Sequence, residues 1–190
     1  MKIILASKSP RRRELLGAYL SPLCREAEII VREVDEELYG EPPLSGVATL
    51  AVRKGAAVYR EHPEALVVSS DTLVELDGVP LGKPTDAEDA VRMLKSLSGR
   101  WHNVHTGIAI HFLGRAYFGT ATTRVRFRTL TDGEIRAYVS TGEPMDKAGA
   151  YGIQGKGGAL VECYDGDFDT VVGFSTRLFQ SLLRDAGVEL

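Results

Sequence analysis

What this chain lacks narrows it first. It has two cysteines in 190 residues, Cys24 and Cys163, far apart and set among apolar neighbours, with neither metal-site spacing nor an adjacent histidine. A disulfide framework, a cysteine metal site and a thiol nucleophile are therefore set aside, and both thiols are expected to be reduced and buried as small hydrophobes. No apolar run approaches the roughly 18 residues of a membrane span and no secretory leader opens the chain, so the expected setting is the cytoplasm, with no membrane partner. Basic excess is missing too. The net charge is −3 and the pI about 5.8, which disfavours general nucleic-acid binding and leaves any affinity for polyanions to local clusters. Internal repeats, linkers and low-complexity stretches are absent, and one α/β domain over residues 1–190 is the economical description.

What is present is an ordinary globular composition, 44% hydrophobic and 26% charged with 20 glycines, enough for one well-buried core with many turns. The densest stretch comes at once: Leu5-Ala6-Ser7-Lys8-Ser9-Pro10-Arg11-Arg12-Arg13-Glu14-Leu15-Leu16. It reads as strand, tight loop and helix, with Ser9 as N-cap, Pro10 at the first helical position, and Leu15, Leu16, Tyr19 and Leu20 on one face. Three arginines in the first turn face the positive end of the helix dipole at a cost of roughly 0.3–1 kcal/mol each. Free backbone N–H groups, two serine hydroxyls and guanidinium forks together make a site for phosphate; the plainer alternative is a solvated basic turn.

Downstream, Cys24 to Val34 is expected as a strand ending in the acidic Asp35-Glu36-Glu37, and Ser45 to Tyr59 as a helix capped by Ser45. Lys54 falls beside the apolar stripe of that helix, where snorkelling is the ordinary explanation. Ala65 to Ser70 reads as a strand covered on both faces and ending at Asp71, followed by a hairpin turning at Asp77-Gly78 and running out at Gly82-Lys83-Pro84. Asp86 to Leu97 is an amphipathic helix; His102 to Phe112 and Tyr117 to Arg128 are two long strands. Arg124, Arg126 and Arg128 form a basic edge on the second, read as a solvated face. Thr131 caps a short helix to Val139. Glu143 to Gly158 is a glycine-rich loop whose glycines allow close approach of backbone to a ligand, and it fits neither the Walker A pattern nor G-x-G-x-x-G. Ala159 to Tyr164 is a strand and Phe174 to Ala186 a closing helix. Asp165, Asp167 and Asp169 imitate half of a calcium loop, but Thr170 and Thr176 occupy its essential glycine and glutamate positions, leaving a turn.

Three places share one logic, a polar residue at a strand end or helix start: Ser7 to Arg12, Asp71 with Thr72, and Lys83, with Lys54 on a neighbouring helix. Arginines and lysines around one carboxylate suit phosphoryl chemistry, where catalysis is mostly charge neutralisation and alignment of a water.

Ala6-Ser7-Lys8-Ser9-Pro10-Arg11-Arg12, Ser70-Asp71-Thr72, Leu81-Gly82-Lys83-Pro84, Leu97-Ser98-Gly99 and the block from Glu143 to Gly155 resemble, in order and over nearly the whole chain, the Maf family of nucleoside triphosphate pyrophosphatases. The resemblance implies an elongated, two-lobed α/β domain of the Maf and inosine-triphosphatase-like kind, with a mixed twisted sheet flanked by helices and a central cleft. It implies hydrolysis at the α-phosphate, giving monophosphate and pyrophosphate, with Asp71 as general base. Ser7, Arg11, Arg12, Lys54 and Lys83 would hold the phosphates, and Asp71 with Glu36 a divalent cation, magnesium foremost, with manganese or cobalt as alternatives. Arg12, Thr72 and Gln154 match the positions tied to substrate choice, and the complete Glu143 to Gly155 block is similar to the dTTP and UTP branch, with CTP and modified pyrimidine nucleotides as further candidates. Alternatives are 7-methyl-GTP specificity and a non-catalytic nucleotide-sensing regulator of septum formation. A homodimer is a further implication, as is the absence of a nucleic-acid partner. Ser69-Ser70 departs from the family's usual Gly-Ala before the aspartate, with space-filling as the favoured account.

Overall fold

The computed structural model describes all 190 residues, Met1–Leu190. Seven strands and six helices follow in chain order: β1 (Ile3–Leu5), α1 (Pro10–Leu20), β2 (Glu28–Ile29), α2 (Pro43–Tyr59), β3 (Leu66–Leu76), β4 (Val79–Leu81), α3 (Ala87–Leu97), β5 (Trp101–Phe112), β6 (Arg115–Phe127), α4 (Asp132–Val139), β7 (Val161–Asp165), α5 (Phe168–Val172) and α6 (Thr176–Asp185). The strands form one sheet in the order β2-β1-β3-β5-β6-β7, with β4 paired to β3. It is mixed, since β1 runs parallel to β2 and β3 while β3–β4 and β6–β7 are antiparallel. No helix is long and apolar enough to cross a membrane.

The chain gathers into two compact units. The first comprises Met1–Asp71, Thr106–Ala121 and Gly173–Leu190, the second Thr72–His105 and Thr122–Val172. In the first unit, β1 and β3 are buried on both faces. Ile3, Leu5, Leu66 and Val68 pack with Leu16 and Leu20 of α1 and Phe174 and Phe179, while Ile4, Ala6 and Val67 pack with Val58 of α2. The continuous apolar runs required this cover. Helix α2 lies directly on β5: a Cβ at Gly107 would strike the backbone of Val47 and Ala48.

In the second unit, Ala90, Met93, Leu94 and Leu97 of α3 and Ile135, Tyr138 and Val139 of α4 cover Val74, Val104, Val125 and Phe127. Helix α3 is capped by Asp86, whose side chain accepts from the backbone N–H of Asp89, and α4 by the reciprocal capping box of Thr131 and Glu134, each satisfying donors the helix leaves orphaned. The basic edge of β6 is held within the unit. Arg124 lies over the Trp101 ring, 4.8 Å from its centroid, while Arg126 pairs with Glu162 at 2.8 Å and Arg128 with Glu134 at 3.1 Å.

Four expectations need correction. Cys24 and Cys163 are exposed: Cys24 ends a tight turn in the left-handed region, at φ 53°, and Cys163 stands on the outward β7. The strand expected from Cys24 to Val34 is only Glu28–Ile29, both exposed, because its mixed alternation offers no buried face. Ser45 does not cap α2, which begins at Pro43, and its hydroxyl donates to the Pro42 carbonyl at 3.2 Å. Strand β3 does not end at Asp71 but runs on to Leu76, because the polar Ser69 to Thr72 keeps its place in the sheet.

His102 carries a pH prediction. It is buried in the second unit, with its Nε2 2.8 Å from the Tyr151 hydroxyl and its ring edge-on to Phe127 and Tyr151. Burial lowers its pKa from 6.5 to about 4, so the folded protein refuses a proton that the unfolded chain accepts. The stability this represents is whole above pH 6.5 and is lost as the pH falls toward 4, by about 3 kcal/mol at some 1.4 kcal/mol per unit. His111, also lowered by burial, adds in the same direction. Urea unfolding at pH 7.5 and 4.5 measures the difference, and His102→Phe should flatten the slope between them.

Candidate active site

Two serines shape the loop between β1 and α1. The Ser9 side chain caps the helix, accepting from the backbone N–H of Arg12 at 3.5 Å. Ser7 Oγ accepts from the Ser9 backbone N–H at 3.2 Å and from Arg12 Nη1 at 3.4 Å. The first turn contains no acidic residue, and Arg11, half-buried, makes no ion pair. Arg12 is fixed from a distant part of the chain, its Nε donating to the Gly173 carbonyl at 3.0 Å. Burial pushes its pKa down and the charge of Asp71 opposes that, with Arg11 and Glu36 as smaller influences; a guanidinium remains protonated throughout.

Asp71 is buried in β3, 7% exposed, and a buried carboxylate needs a partner. The partner is Lys54, whose ammonium lies 2.5 Å from Asp71 Oδ1 and 3.1 Å from Glu36 Oε1. Lys54 is therefore not a snorkelling side chain: it joins two carboxylates from different segments. Close packing of α2 on the sheet brings it there. Ser69 Oγ donates to the Ala51 carbonyl at 2.7 Å, and Gly55 leaves no room for a Cβ beside the Ser69 hydroxyl.

Glu36 sits in a loop that α2 also fixes. Arg53 donates through Nη1 to the carbonyls on either side of it, Glu37 at 2.6 Å and Asp35 at 3.4 Å, and its guanidinium lies 5.6 Å from the centroid of the Tyr39 ring. Successive residues of one helix thus hold the loop backbone and its carboxylate. No group of three or more His, Cys, Asp or Glu is clustered as a metal site. Two carboxylate oxygens converging on one cation are nonetheless a hard donor set, of the kind that holds a magnesium ion when substrate phosphates and waters supply its remaining ligands.

The first unit therefore brings Ser7 and Arg12 together, and Lys54, Asp71 and Glu36 together. Thr72, Lys83 and Gln154 belong to the second unit. Lys83 is exposed with no ion pair, and the neighbouring Gly82 carbonyl accepts from the Gly149 backbone N–H at 3.0 Å. Gln154 is exposed and its side chain has no hydrogen bond within the chain. Packing within the chain itself also calls for the glycines of this loop. A Cβ at Gly149 would meet Val74 at 2.9 Å, at Gly152 the Lys147 side chain at 2.7 Å, and at Gly155 the Glu143 carboxylate at 2.5 Å. These three glycines make room for neighbouring side chains.

Sequence reasoning overlooked Arg53, Glu143 and Gly173, and favoured space-filling for Ser70. Ser70 is not mere space-filling: its hydroxyl donates at 2.9 Å to the same Gly173 carbonyl that receives Arg12. Among the overlooked residues, Glu143 carried a signal, as the carboxylate opening a glycine-rich block.

The chain resembles proteins of known family. A dTTP/UTP pyrophosphatase of Thermococcus kodakarensis is 48% identical over 181 residues, covering 95% of this chain and 94% of that protein. Proteins of the same name from Aquifex aeolicus and Bacillus velezensis are 43% and 44% identical, covering 97% and 99% of this chain and 95% and 98% of theirs. The crystal structure of a nucleoside-triphosphatase / dITP/XTP pyrophosphatase from Mycobacterium abscessus has the same fold, with a TM-score of 0.50 at 15% identity over 97% of this chain and 94% of that one. With the model of the Maf-like proteins matching residues 2–186 as well, the chain belongs to the Maf-like protein family.

Proposed function

We propose that this chain hydrolyses dTTP and UTP between the α- and β-phosphates, releasing pyrophosphate and the nucleoside monophosphate, and that residues 1–190 act as one catalytic domain. The observation that carries the reading is the buried Asp71 in contact with Lys54, which also holds Glu36, in the field of Arg12. The three relatives named dTTP/UTP pyrophosphatase support the substrate class.

In this reading the Asp71 carboxylate takes a proton from the attacking water as its oxygen bonds to the α-phosphorus and the bridging oxygen departs with pyrophosphate. Lys54 fixes the orientation of that carboxylate. Ser7, Arg11, Arg12, Lys83 and the remaining N–H of Lys54 hold phosphate oxygens; Arg11 and Lys83 have no internal counterion to give up, and Arg12 is pre-oriented by Gly173 and Ser7. Asp71 and Glu36 would hold a divalent cation, magnesium foremost, which when bound neutralises phosphate charge. Arg12, Thr72 and Gln154 select the nucleotide, and a glutamine amide offers both donor and acceptor to a pyrimidine edge.

The test is a panel of dTTP, UTP, CTP, 7-methyl-GTP, dITP and the common purine triphosphates, incubated with magnesium, with pyrophosphate and orthophosphate measured separately. Pyrophosphate should come chiefly from dTTP and UTP. Orthophosphate alone would overturn the bond assignment, and preferential cleavage of 7-methyl-GTP the specificity. Nucleotide binding without any release would favour a sensing role.

A further inference from the structure

We propose that Glu143 is a positioning residue for substrate choice, its carboxylate fixing the turn from which Gln154 projects. The inference rests on the reading of Gln154 as a selector of the base, and every residue involved lies in the second unit.

Glu143 stands just after Gly142 at the start of a 3-10 turn, and the loop closes around its side chain. Oε1 accepts from the Tyr138 hydroxyl at 3.0 Å and the Gly157 backbone N–H at 3.1 Å, and Oε2 from the Lys156 backbone N–H at 2.9 Å. The Tyr138 oxygen in turn accepts from the Gly152 backbone N–H at 3.2 Å. Lys147 secures the base of the clamp, donating to the Glu143 carbonyl at 2.7 Å and pairing with Asp146 at 2.6 Å. Residues 152 to 157 are thus bound at both ends to one carboxylate, directly or through Tyr138.

Gln154 is the middle of that arc, exposed and without a hydrogen bond inside the chain, although the backbone on either side of it is tied down. A side chain that projects from a tied-down backbone and has no partner within the protein is fit to meet a ligand. The same effect without the clamp would require ordering a glycine-rich segment at each binding event, and glycine loses the most conformational freedom of any residue on ordering. The charge state agrees with the clamp. Burial alone would raise the Glu143 pKa, but the two backbone N–H groups and the tyrosine outweigh it and hold the carboxyl below its usual range. The ionised group is acceptor-only and has a donor for each contact described.

Glu143→Gln keeps the size and turns one acceptor into an NH2 that opposes a backbone N–H. The enzyme is assayed with UTP, dTTP, GTP and dITP, alone and with Gln154→Ala. The expected result is a rise in KM for UTP and dTTP of about tenfold with kcat within about twofold, together with loss of the pyrimidine preference. Adding Gln154→Ala to Glu143→Gln should change little more, since the two act through one contact. Tyr138→Phe, a milder lesion of the same clamp, should shift KM in the same direction by less, which guards against a variant that merely misfolds.

An equal loss for all four nucleotides with the preference intact, or additive effects in the double variant, would overturn the inference while leaving the hydrolytic reading standing. Loss of preference in neither Gln154→Ala nor Glu143→Gln would remove the selector role itself. Affinities of the α,β-imido analogues of UTP and GTP for the same variants decide the clamp if the wild type releases no pyrophosphate, because they read preference without turnover.

Discussion

Replacing Asp71 by asparagine should leave the protein folded and able to hold nucleotide while turnover falls by about 10²–10⁴-fold, the usual contribution of a general base. The substitution preserves shape, and the amide oxygen still accepts from Lys54, so the contact that seats the side chain in β3 survives. What disappears is the second lone-pair oxygen able to take a proton. The measurement is kcat with UTP and magnesium beside the affinity for α,β-imido-UTP. A variant that binds normally and turns over within tenfold of the parent would sink the assignment of the base.

Lys54→Met should be nearly as severe, lowering kcat/KM by about 10²–10³-fold, the range found when one preorganised charge donor is removed from a site. Methionine retains the apolar stem but removes the ammonium shared by Asp71 and Glu36. The two carboxylates then lose the cation that orients them and, as like charges, move apart. Lys54→Arg should not restore activity, because the larger guanidinium with its rigid fork of donors would shift the two carboxylates from the positions a compact ammonium sets. Recovery of more than a tenth of the parental rate by arginine would show that charge alone matters there. Comparing the two lysine variants with Asp71→Asn separates proton transfer from orientation: Asp71→Asn leaves Glu36 paired, and Lys54→Met frees both acids.

The parts of this protein legible in sequence were those whose causes are local. Ser9 and Pro10 opened α1 because capping and a fixed φ act within one turn, and the spacing of Ala90, Met93, Leu94 and Leu97 marked α3 because a single face is buried. The Asp77-Gly78 turn was readable because both residues adopt positive φ, at 53° and 81°, as a two-residue hairpin demands. Where tertiary contacts decide, the reading lapsed. The polar run from Ser69 to Thr72 looks like a strand end, yet Ser69 and Ser70 find carbonyl partners at Ala51 and Gly173, and the strand continues.

The candidate site divides in the same way. Asp71, Lys54 and Arg12 announce themselves as charges in improbable places, while the groups that hold them work through backbone carbonyls that no side-chain pattern records. Arg53, which grips the backbone on both sides of Glu36, reads in sequence as one more exposed helical arginine.

The Gly173 carbonyl has a consequence for how the protein comes into being. It receives Arg12 across 161 positions and Ser70 across 103, so the loop between β1 and α1 takes its final form only after residue 173 has been made. Contacts this distant are assembled late and slowly, since the chain entropy of closing the loop is lost before the bond rewards it. During synthesis β1 and β3 must therefore wait, with apolar faces uncovered, for Phe174 and Phe179 to arrive. Competence to bind nucleotide should appear in a single late step of folding, together with the docking of α6.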